Sequence, residues 1–447
     1  MTANNSLTGY QRTAITLPPR LSRIPRIHRH HIRSIASLLK EAAEKNWPIE
    51  QWKRSILKIL HGGAVDENEV NSKIPHINDS IHMSLCKGDK LKPTALAVIK
   101  KLLPEWRDVQ SIEMNRVSGA LTNAVFFVTS THGKILLRIY GVGVDEILHR
   151  DREIVWLKLL SQMNIGPQLL GTFANGRLEQ FLDSATLTHP EISDPVISET
   201  IANRLGELHS IVDSFPPTKS ERESPEIWYN VDKWYPMAMR VVTEIYKRKP
   251  ESREGLRSFG IMQLDTEIKD LKEILNKLNS EIVFCHNDGF LEAHQRTMII
   301  SQTQYGNILR MNDEDGELVL VDYEYAGYNF AAFDIGNHWC EWTANYHAED
   351  PALIHLEQYP NQEEQLRFVR SYIRERIAPK VLSDEELEEQ AVRLASESAK
   401  WSVASHLMWG LWGLVQASQS EIDFDYYKYA MQRLSAFRDG LANLQKE

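Results

Sequence analysis

Carboxylates at the ends of two short apolar runs are the residues of this chain best placed to do chemistry. The run EIVFCHND (281–288) ends in His286, Asn287 and Asp288, and ELVLVDYEYAGYNFAAFDIGNHWCEW (317–342) carries Asp322, with Glu324, Asp334 and Glu341 behind it. A carboxylate on a loop at a strand end can accept a proton from a substrate hydroxyl and orient it for attack. Two such ends brought together offer the hard oxygen donors that Mg²⁺ with bound phosphates requires. Read singly, they are equally acidic turn residues. Upstream, RVSGALTNAVFFV (116–128) holds a Ser/Gly/Thr/Asn loop before a β-rich run; small residues let backbone N–H groups approach phosphate oxygens, and a plain hairpin would use the same residues. Arg138 is a cation inside the apolar run KILLRIYG (134–141), placed to meet a phosphate or a carboxylate such as Glu153, unless it lies on an edge strand facing solvent. Trp409 and Trp412 share a helix face, and Tyr426 and Tyr429 recur at the same spacing. Aromatic faces attract a quaternary ammonium through their quadrupoles, although aromatic pairs at this spacing also build ordinary cores.

The elements that must position these groups follow from periodicity. Residues 109–182 are β-rich, with runs at Ala124 to Thr129, Lys134 to Tyr140 and Leu178 to Leu182 and one helical segment, Asp151 to Met163. Beyond residue 190 the pattern is helical: Leu264, Ile268, Leu271, Leu275 and Leu278 follow alternating four- and three-residue steps, and Glu385 to Ser418 is a long helical zone. Two strand-like runs, Ile282 to Cys285 and Leu318 to Val321, lie inside that half. Ahead of the β-rich stretch, residues 34–105 read as a helical extension, and residues 1–33 as a polar tail ending in a basic run, Arg20 to Arg33. Such a run is ordinarily solvated, or it touches anionic lipid weakly.

The chain has 447 residues, enough for two or three domains or one large bilobal unit. With 42% hydrophobic residues, and apolar runs too short for a membrane helix, it is a globular chain. A net charge of −10 (51 basic against 61 acidic residues) argues against a dedicated nucleic-acid binder. Three widely spaced cysteines, Cys86, Cys285 and Cys340, give no zinc spacing and fit a reducing compartment, and the N-terminal segment lacks the apolar core of a secretion signal. A cytoplasmic protein is expected.

Taken together and in order, the segments SGALTNAVF, LLRIYG, NIGPQLLGTFANGRLEQFL, FCHND, TQYGNILRM, LVDYEYAGYNFAAFDIGNHWCEW and ASHLMWGLWGLVQA resemble the choline/ethanolamine kinase family. The resemblance implies an α+β, bilobal protein-kinase-like fold, with a small antiparallel-sheet N-lobe over 106–182 and a mainly helical C-lobe over 183–447 carrying the choline pocket. It implies ATP-dependent transfer of the γ-phosphoryl to choline, giving phosphocholine and ADP, the first step of the CDP-choline route to phosphatidylcholine; ethanolamine is the alternative alcohol. Carried over by position, Ser118, Gly119, Ala120, Leu121, Thr122 and Asn123 would form the phosphate loop, with Ala120 standing where many relatives have a second glycine. Arg138 would meet the nucleotide phosphates and pair with Glu153, while Gln180 and Phe181 would be the hinge that touches adenine. Asp288 would be the catalytic base, Asn307 and Asp322 the Mg²⁺ ligands, Gln304 a neighbour of the transferred phosphate and Asp334 the brace of the catalytic loop. Glu341, Tyr328, Tyr346, Trp409, Trp412, Tyr426 and Tyr429 would form the choline pocket. Relatives commonly form homodimers.

One departure falls inside the catalytic loop. The family places four residues between the HND aspartate and the asparagine, whereas 18 separate Asp288 from Asn307 here. Removing GFLEAHQRTMIISQ (289–302) restores FCHNDTQYGNIL. The excess is in frame between two intact halves, and CAG can encode Gln302, so a translated intron is expected; a genuine insertion is the alternative. Because about 1 Å of misplacement can cost on the order of 100-fold in rate, the insertion also raises the reading of a catalytically impaired pseudokinase.

Overall fold

The computed structural model describes residues 74–82, 90–119, 123–140, 150–248, 252–288, 306–313, 315–420 and 424–446. The basic run 20–33 and residues 34–73 of the expected helical extension lie outside them.

The smaller lobe is a six-stranded sheet. Its strands are β1 (His76–Ile77), β2 (Glu113–Gly119), β3 (Asn123–Ser130), β4 (Gly133–Tyr140), β5 (Leu169–Phe173) and β6 (Gly176–Gln180), in spatial order β1-β5-β6-β4-β3-β2. Pairing is antiparallel except between β1 and β5. Strand alternation sorts the side chains. Ala124, Phe126 and Val128 of β3 and Ile135, Leu137 and Ile139 of β4 face one core. That parity turns Leu136, Arg138 and Tyr140 to the opposite face, where Val125, Phe127, Leu136 and Phe181 form a small apolar patch.

The first core is closed by helix α1 (Leu91–Leu102) through Ala95, Val98, Ile99 and Leu102, with Trp106 after it. Helix and sheet approach closely: a Cβ on Gly171 would stand 3.3 Å from Leu102. The boundary expected between an extension (34–105) and the lobe (106–182) therefore runs through a single hydrophobic core. The apolar stripe of α1 is buried against this sheet, and β1 extends the sheet it covers. Helix α2 (Arg150–Gln162) crosses toward the larger lobe.

Among the described residues the larger lobe holds two large cores and a small cluster of Val283, Cys285 and Ala331. The first of them in chain order gathers the short strands β7 (Ser184–Thr186), β8 (Ile282–Cys285), β9 (Ile308–Met311), β10 (Leu318–Leu320) and β11 (Gly327–Phe330) with helix α3 (Pro195–His209). The second packs α4 (Glu226–Arg248) and α5 (Leu264–Asn276) against the C-terminal helices. Helix α6 (Ala331–Glu341) lies between them, and α7 (Gln362–Ile377) covers α3. The 36-residue α8 (Asp384–Gln419) starts at a Ser383/Glu386 capping box, and α9 (Tyr426–Leu444) folds back along it. Gly336 lets α6 and α8 cross at close range, since a Cβ there would sit 2.3 Å from the Ser398 carbonyl. Strands β8 and β11 pair antiparallel, with Cys285 opposite Gly327. This pairing places the HND segment beside the chain that carries Asp322 and Asp334. Among the described residues no helix is long and apolar enough to cross a membrane.

Candidate active site

Each residue of the HND segment has a separate task. His286 Nε2 donates to the Val321 carbonyl at 2.9 Å, tying the end of β8 to the end of β10. Burial holds this imidazole below its usual pKa. Asn287 adopts the left-handed conformation at φ +65° and donates through Nδ2 to the Tyr325 and Gly327 carbonyls. Its own Oδ1 accepts from Asn329 at 2.7 Å. Asp288 is thereby delivered past the strand end, where its Oδ2 accepts from Asn307 Nδ2 at 2.8 Å. The 18 intervening residues do not separate the pair. Gln304, with the whole stretch 289–305, lies outside the described residues.

Asp334, in the first turn of α6, is hydrogen-bonded to this loop. Its Oδ2 accepts from the His286 amide at 2.8 Å and from His209 Nε2 at 3.0 Å, and its Oδ1 accepts from the Asn287 amide at 2.8 Å. Burial pushes the carboxyl up, but the hydrogen bonds and the facing imidazoles outweigh it and hold the pKa below the usual range. The group is wholly buried and acts through the backbone of the loop, so it is a positioning residue. Asp322 also takes a left-handed conformation, at φ +64°, a strain of order 1–3 kcal/mol of the kind found where a side chain must be aimed.

In the upper lobe one pairing differs from expectation. Glu153 does not pair with Arg138; its carboxylate accepts from Arg177 Nη1 at 2.6 Å. Arg177 stands directly across the β4/β6 ladder from Arg138, and it also binds Glu179 and the Tyr140 hydroxyl. Two arginines opposed on one face repel, and Glu153, Glu179 and Asp322 offset that repulsion. Arg177 takes the two glutamates. Arg138 is left to Asp322, at 3.4 Å and 3.5 Å, with its Nε 3.9 Å from Glu179. That Nε is buried and makes no hydrogen bond among the described residues. Burial raises the carboxyls of Asp322 and Glu179, but the two guanidiniums outweigh it and hold both low.

The two residues expected at the hinge, Gln180 and Phe181, lie at the end of β6 and just after it. Gln180 accepts from the Gln168 amide at 3.2 Å, and Phe181 meets Phe127 edge-to-face at 5.2 Å. In the loop between β2 and β3, Ser118 and Gly119 end one strand and Asn123 opens the next, while Ala120, Leu121 and Thr122 lie outside the described residues.

Below the catalytic loop the expected aromatic residues form one connected cluster. Trp409 and Trp412 stand edge-to-face at 5.4 Å, Trp412 meets Tyr426 at 5.6 Å, and Phe424 joins Tyr426 to Tyr429 at 4.8 Å and 5.7 Å. Glu341 closes the cluster: its Oε2 accepts from Tyr346 at 3.0 Å and its Oε1 from Arg433 at 2.8 Å. Asn337 joins the cluster to the catalytic loop. Its Oδ1 accepts from Trp409 Nε1 at 2.8 Å, and its Nδ2 donates to the Asn287 carbonyl at 3.5 Å.

Tyr328 does not belong to this group. It lies on β11 opposite Phe284, packs edge-on against Trp156 and Phe284, and donates its hydroxyl to the Phe215 carbonyl in the neighbouring core. Tyr325, in the turn before β11, takes the place expected for it: its ring lies 5.6 Å from Trp409, and its hydroxyl accepts from Trp412 Nε1 at 3.1 Å. Sequence reasoning also missed Arg177 and Arg433. The second had a signal, since it follows Tyr429 by one helical turn and so shares its face.

Comparison with known proteins agrees with this geometry. Residues 114–438 match the family model described as choline/ethanolamine kinase. The chain is 35% identical over 349 residues to probable choline kinase 2 of Arabidopsis thaliana, covering 76% of this chain and 89% of that protein. It is likewise 35% identical to the choline/ethanolamine kinase of Rattus norvegicus, covering 74% and 82%. The crystal structure of a Cryptosporidium parvum choline kinase superposes with a TM-score of 0.63 at 25% identity, over 79% of this chain and 96% of that one. A Plasmodium vivax ethanolamine kinase superposes with a TM-score of 0.61 at 26% identity, over 79% and 91%. The chain belongs to the choline/ethanolamine kinase family and has its bilobal, protein-kinase-like fold. It is an ATP-dependent phosphotransferase acting on an alcohol.

Proposed function

We propose that the chain transfers the γ-phosphoryl of MgATP to choline, giving phosphocholine and ADP. The observation that carries this reading is the aromatic cluster of Tyr325, Trp409, Trp412 and Tyr426 with the buried carboxylate of Glu341, tied through Asn337 to the loop that presents Asp288. Faces of this kind suit a quaternary ammonium, at about 0.5–2 kcal/mol each. A primary ammonium gains less from the rings and more from hydrogen bonds, and both oxygens of Glu341 are already engaged by Arg433 and Tyr346.

Mg²⁺ is a hard cation that takes oxygen donors, and the residues present fit it. The Asn307 amide and the Asp322 carboxylate stand at the ends of neighbouring strands beside Asp288. Asn307 and Asp322 would hold the ion, which offsets charge on the nucleotide phosphates. Arg138 supplies a fixed cation to the phosphates, Asp288 accepts the hydroxyl proton of the alcohol, and Phe181 with Val125 and Phe127 offers an apolar surface for the base. The contact between Asp288 and Asn307 supports an active enzyme rather than an impaired one. Cys285 and Cys340, both free thiols in the interior, suit a reducing cytoplasm.

The test is steady-state kinetics with MgATP and each alcohol. Choline is expected to give the higher kcat/KM, and a chain that phosphorylates ethanolamine alone would overturn the reading. Trp412→Leu is expected to raise KM for choline about 5- to 30-fold, as loss of one cation–π face implies, and KM for ethanolamine by less. Equal changes for the two alcohols would count against the aromatic cage.

A further inference from the structure

Arg433 lies outside any segment that carried the resemblance, yet it is one of the most completely buried charges of the larger lobe. All three arms of its guanidinium are engaged. Nη2 donates to Glu341 Oε1 at 2.8 Å, Nε to the Tyr429 hydroxyl at 3.1 Å, and Nη1 to His406 Nδ1 at 3.3 Å. A buried cation of this kind is retained only with a carboxylate against it, and a buried carboxylate only with a cation. We propose that Arg433 is a positioning residue that fixes the Glu341 carboxylate in orientation and offsets its burial, so that the alcohol site presents this carboxylate to the substrate's ammonium group.

Every neighbour of Glu341 bears on this. From α9 it faces Arg433 and Tyr429; from the turn after α6 it faces Tyr346, whose hydroxyl donates to Oε2. His189, from the short helix His189–Ile192, acts on it through space and is itself bonded to the Trp342 carbonyl at 2.8 Å. Cys340 precedes it on α6, with its thiol 3.7 Å from His406 Nε2. His406, on α8, is held neutral by burial and by Arg433, so it accepts from the guanidinium and adds no second cation. Arg433 is thus the only permanent cation in contact with Glu341 among the described residues. Burial pushes the Glu341 carboxyl up, and although Arg433 leads the opposing contributions the balance still leaves it above the usual carboxylate range. Without it the carboxyl would gain a proton at higher pH and lose its pull on the ammonium.

This inference rests on the choline reading, and its test separates the two. KM for choline is measured from about pH 8.5 down to about pH 6 for the wild-type chain and for Arg433→Gln, which keeps hydrogen-bonding capacity and removes the charge. Wild type is expected to show the shallower dependence. The Gln variant should show KM rising toward about tenfold per pH unit as the pH falls below the raised Glu341 pKa, with kcat changed much less. Adding Glu341→Gln to it should abolish that slope and leave KM uniformly high. Arg433→Lys, which restores charge with a single point of contact, should give a raised KM with the shallower dependence of wild type. A Gln variant with the wild-type profile, or a double variant that keeps the slope, would overturn the inference. So would a Lys variant that slopes more steeply than wild type, which also decides the matter if the Gln variant does not fold. Absence of choline turnover in the wild-type chain would instead remove the functional reading beneath it.

Discussion

Asp288→Asn is expected to lower kcat by about 10²- to 10⁴-fold, the range that a positioned general base supplies, while KM for ATP changes little. The substitution keeps the size of the side chain and an oxygen for Asn307 Nδ2, so the loop geometry has no reason to move. What disappears is the carboxylate proposed to take the alcohol proton. Steady-state kinetics together with nucleotide binding check this. A kcat within tenfold of wild type would assign the base to another residue. The braces of the loop, from Asp334 to the His286 and Asn287 amides, are untouched in this variant, so lost activity reports chemistry and not collapse.

Arg177→Met is expected to have the largest effect on stability, about 3–5 kcal/mol, because it leaves Glu153 and Glu179 buried without their cation. Arg138→Met should behave in the opposite way. Its contacts to Asp322 and Glu179 are long, 3.4 Å and 3.9 Å, so stability should fall less while the KM for ATP or kcat suffers more. Denaturant unfolding of the two variants, set beside their kinetics, reads this contrast. Equal destabilisation would mean that the two arginines share one role, and a harmless Arg177→Met would mean that Glu153 has another partner.

The same pair shows how far the sequence could be read. An arginine inside an apolar strand of the N-lobe was visible, and so was a glutamate on the following helix, but their pairing depended on which arginine faces α2. That is decided by the register of β4 against β6, which sets Arg138 opposite Arg177. Register also explains Tyr328. The stretch DYEYAGYNF offers three tyrosines, and only the pairing of Tyr328 with Phe284 on β8 sends it into the core and leaves Tyr325 for the aromatic cluster. Spacing along a single helix needed no such knowledge: Trp409 meets Trp412 as their interval implies, and Tyr426 and Tyr429 are bridged by Phe424. The strand ends at Asp288 and Asp322 were likewise legible, since an apolar run that stops at a carboxylate marks both the strand and its exit. The brace at Asp334 was legible only through the family pattern, for nothing in its local sequence says that its carboxylate turns back onto two amides.

The insertion between Asp288 and Asn307 bears on the whole account. An intron of 42 nucleotides covering residues 289–302 would open on the Gly289 codon, which begins G-G. No offset around that codon gives a stretch of this length that opens on G-T and closes on A-G, so a genuine insertion is favoured over the intron expected from the frame alone. Closing a loop of 14 further residues costs about 2 kcal/mol, which a protein of this size can carry. With Asn307 bonded to Asp288 at 2.8 Å, the geometry that the insertion threatened is in place.

The most direct measurement is ATP-dependent formation of phosphocholine by the chain as written and by a version lacking residues 289–302. Turnover by both, with kcat values within about tenfold, is the result expected of a choline kinase whose catalytic loop closes across its insertion. Nucleotide binding without phosphocholine from either version would contradict it.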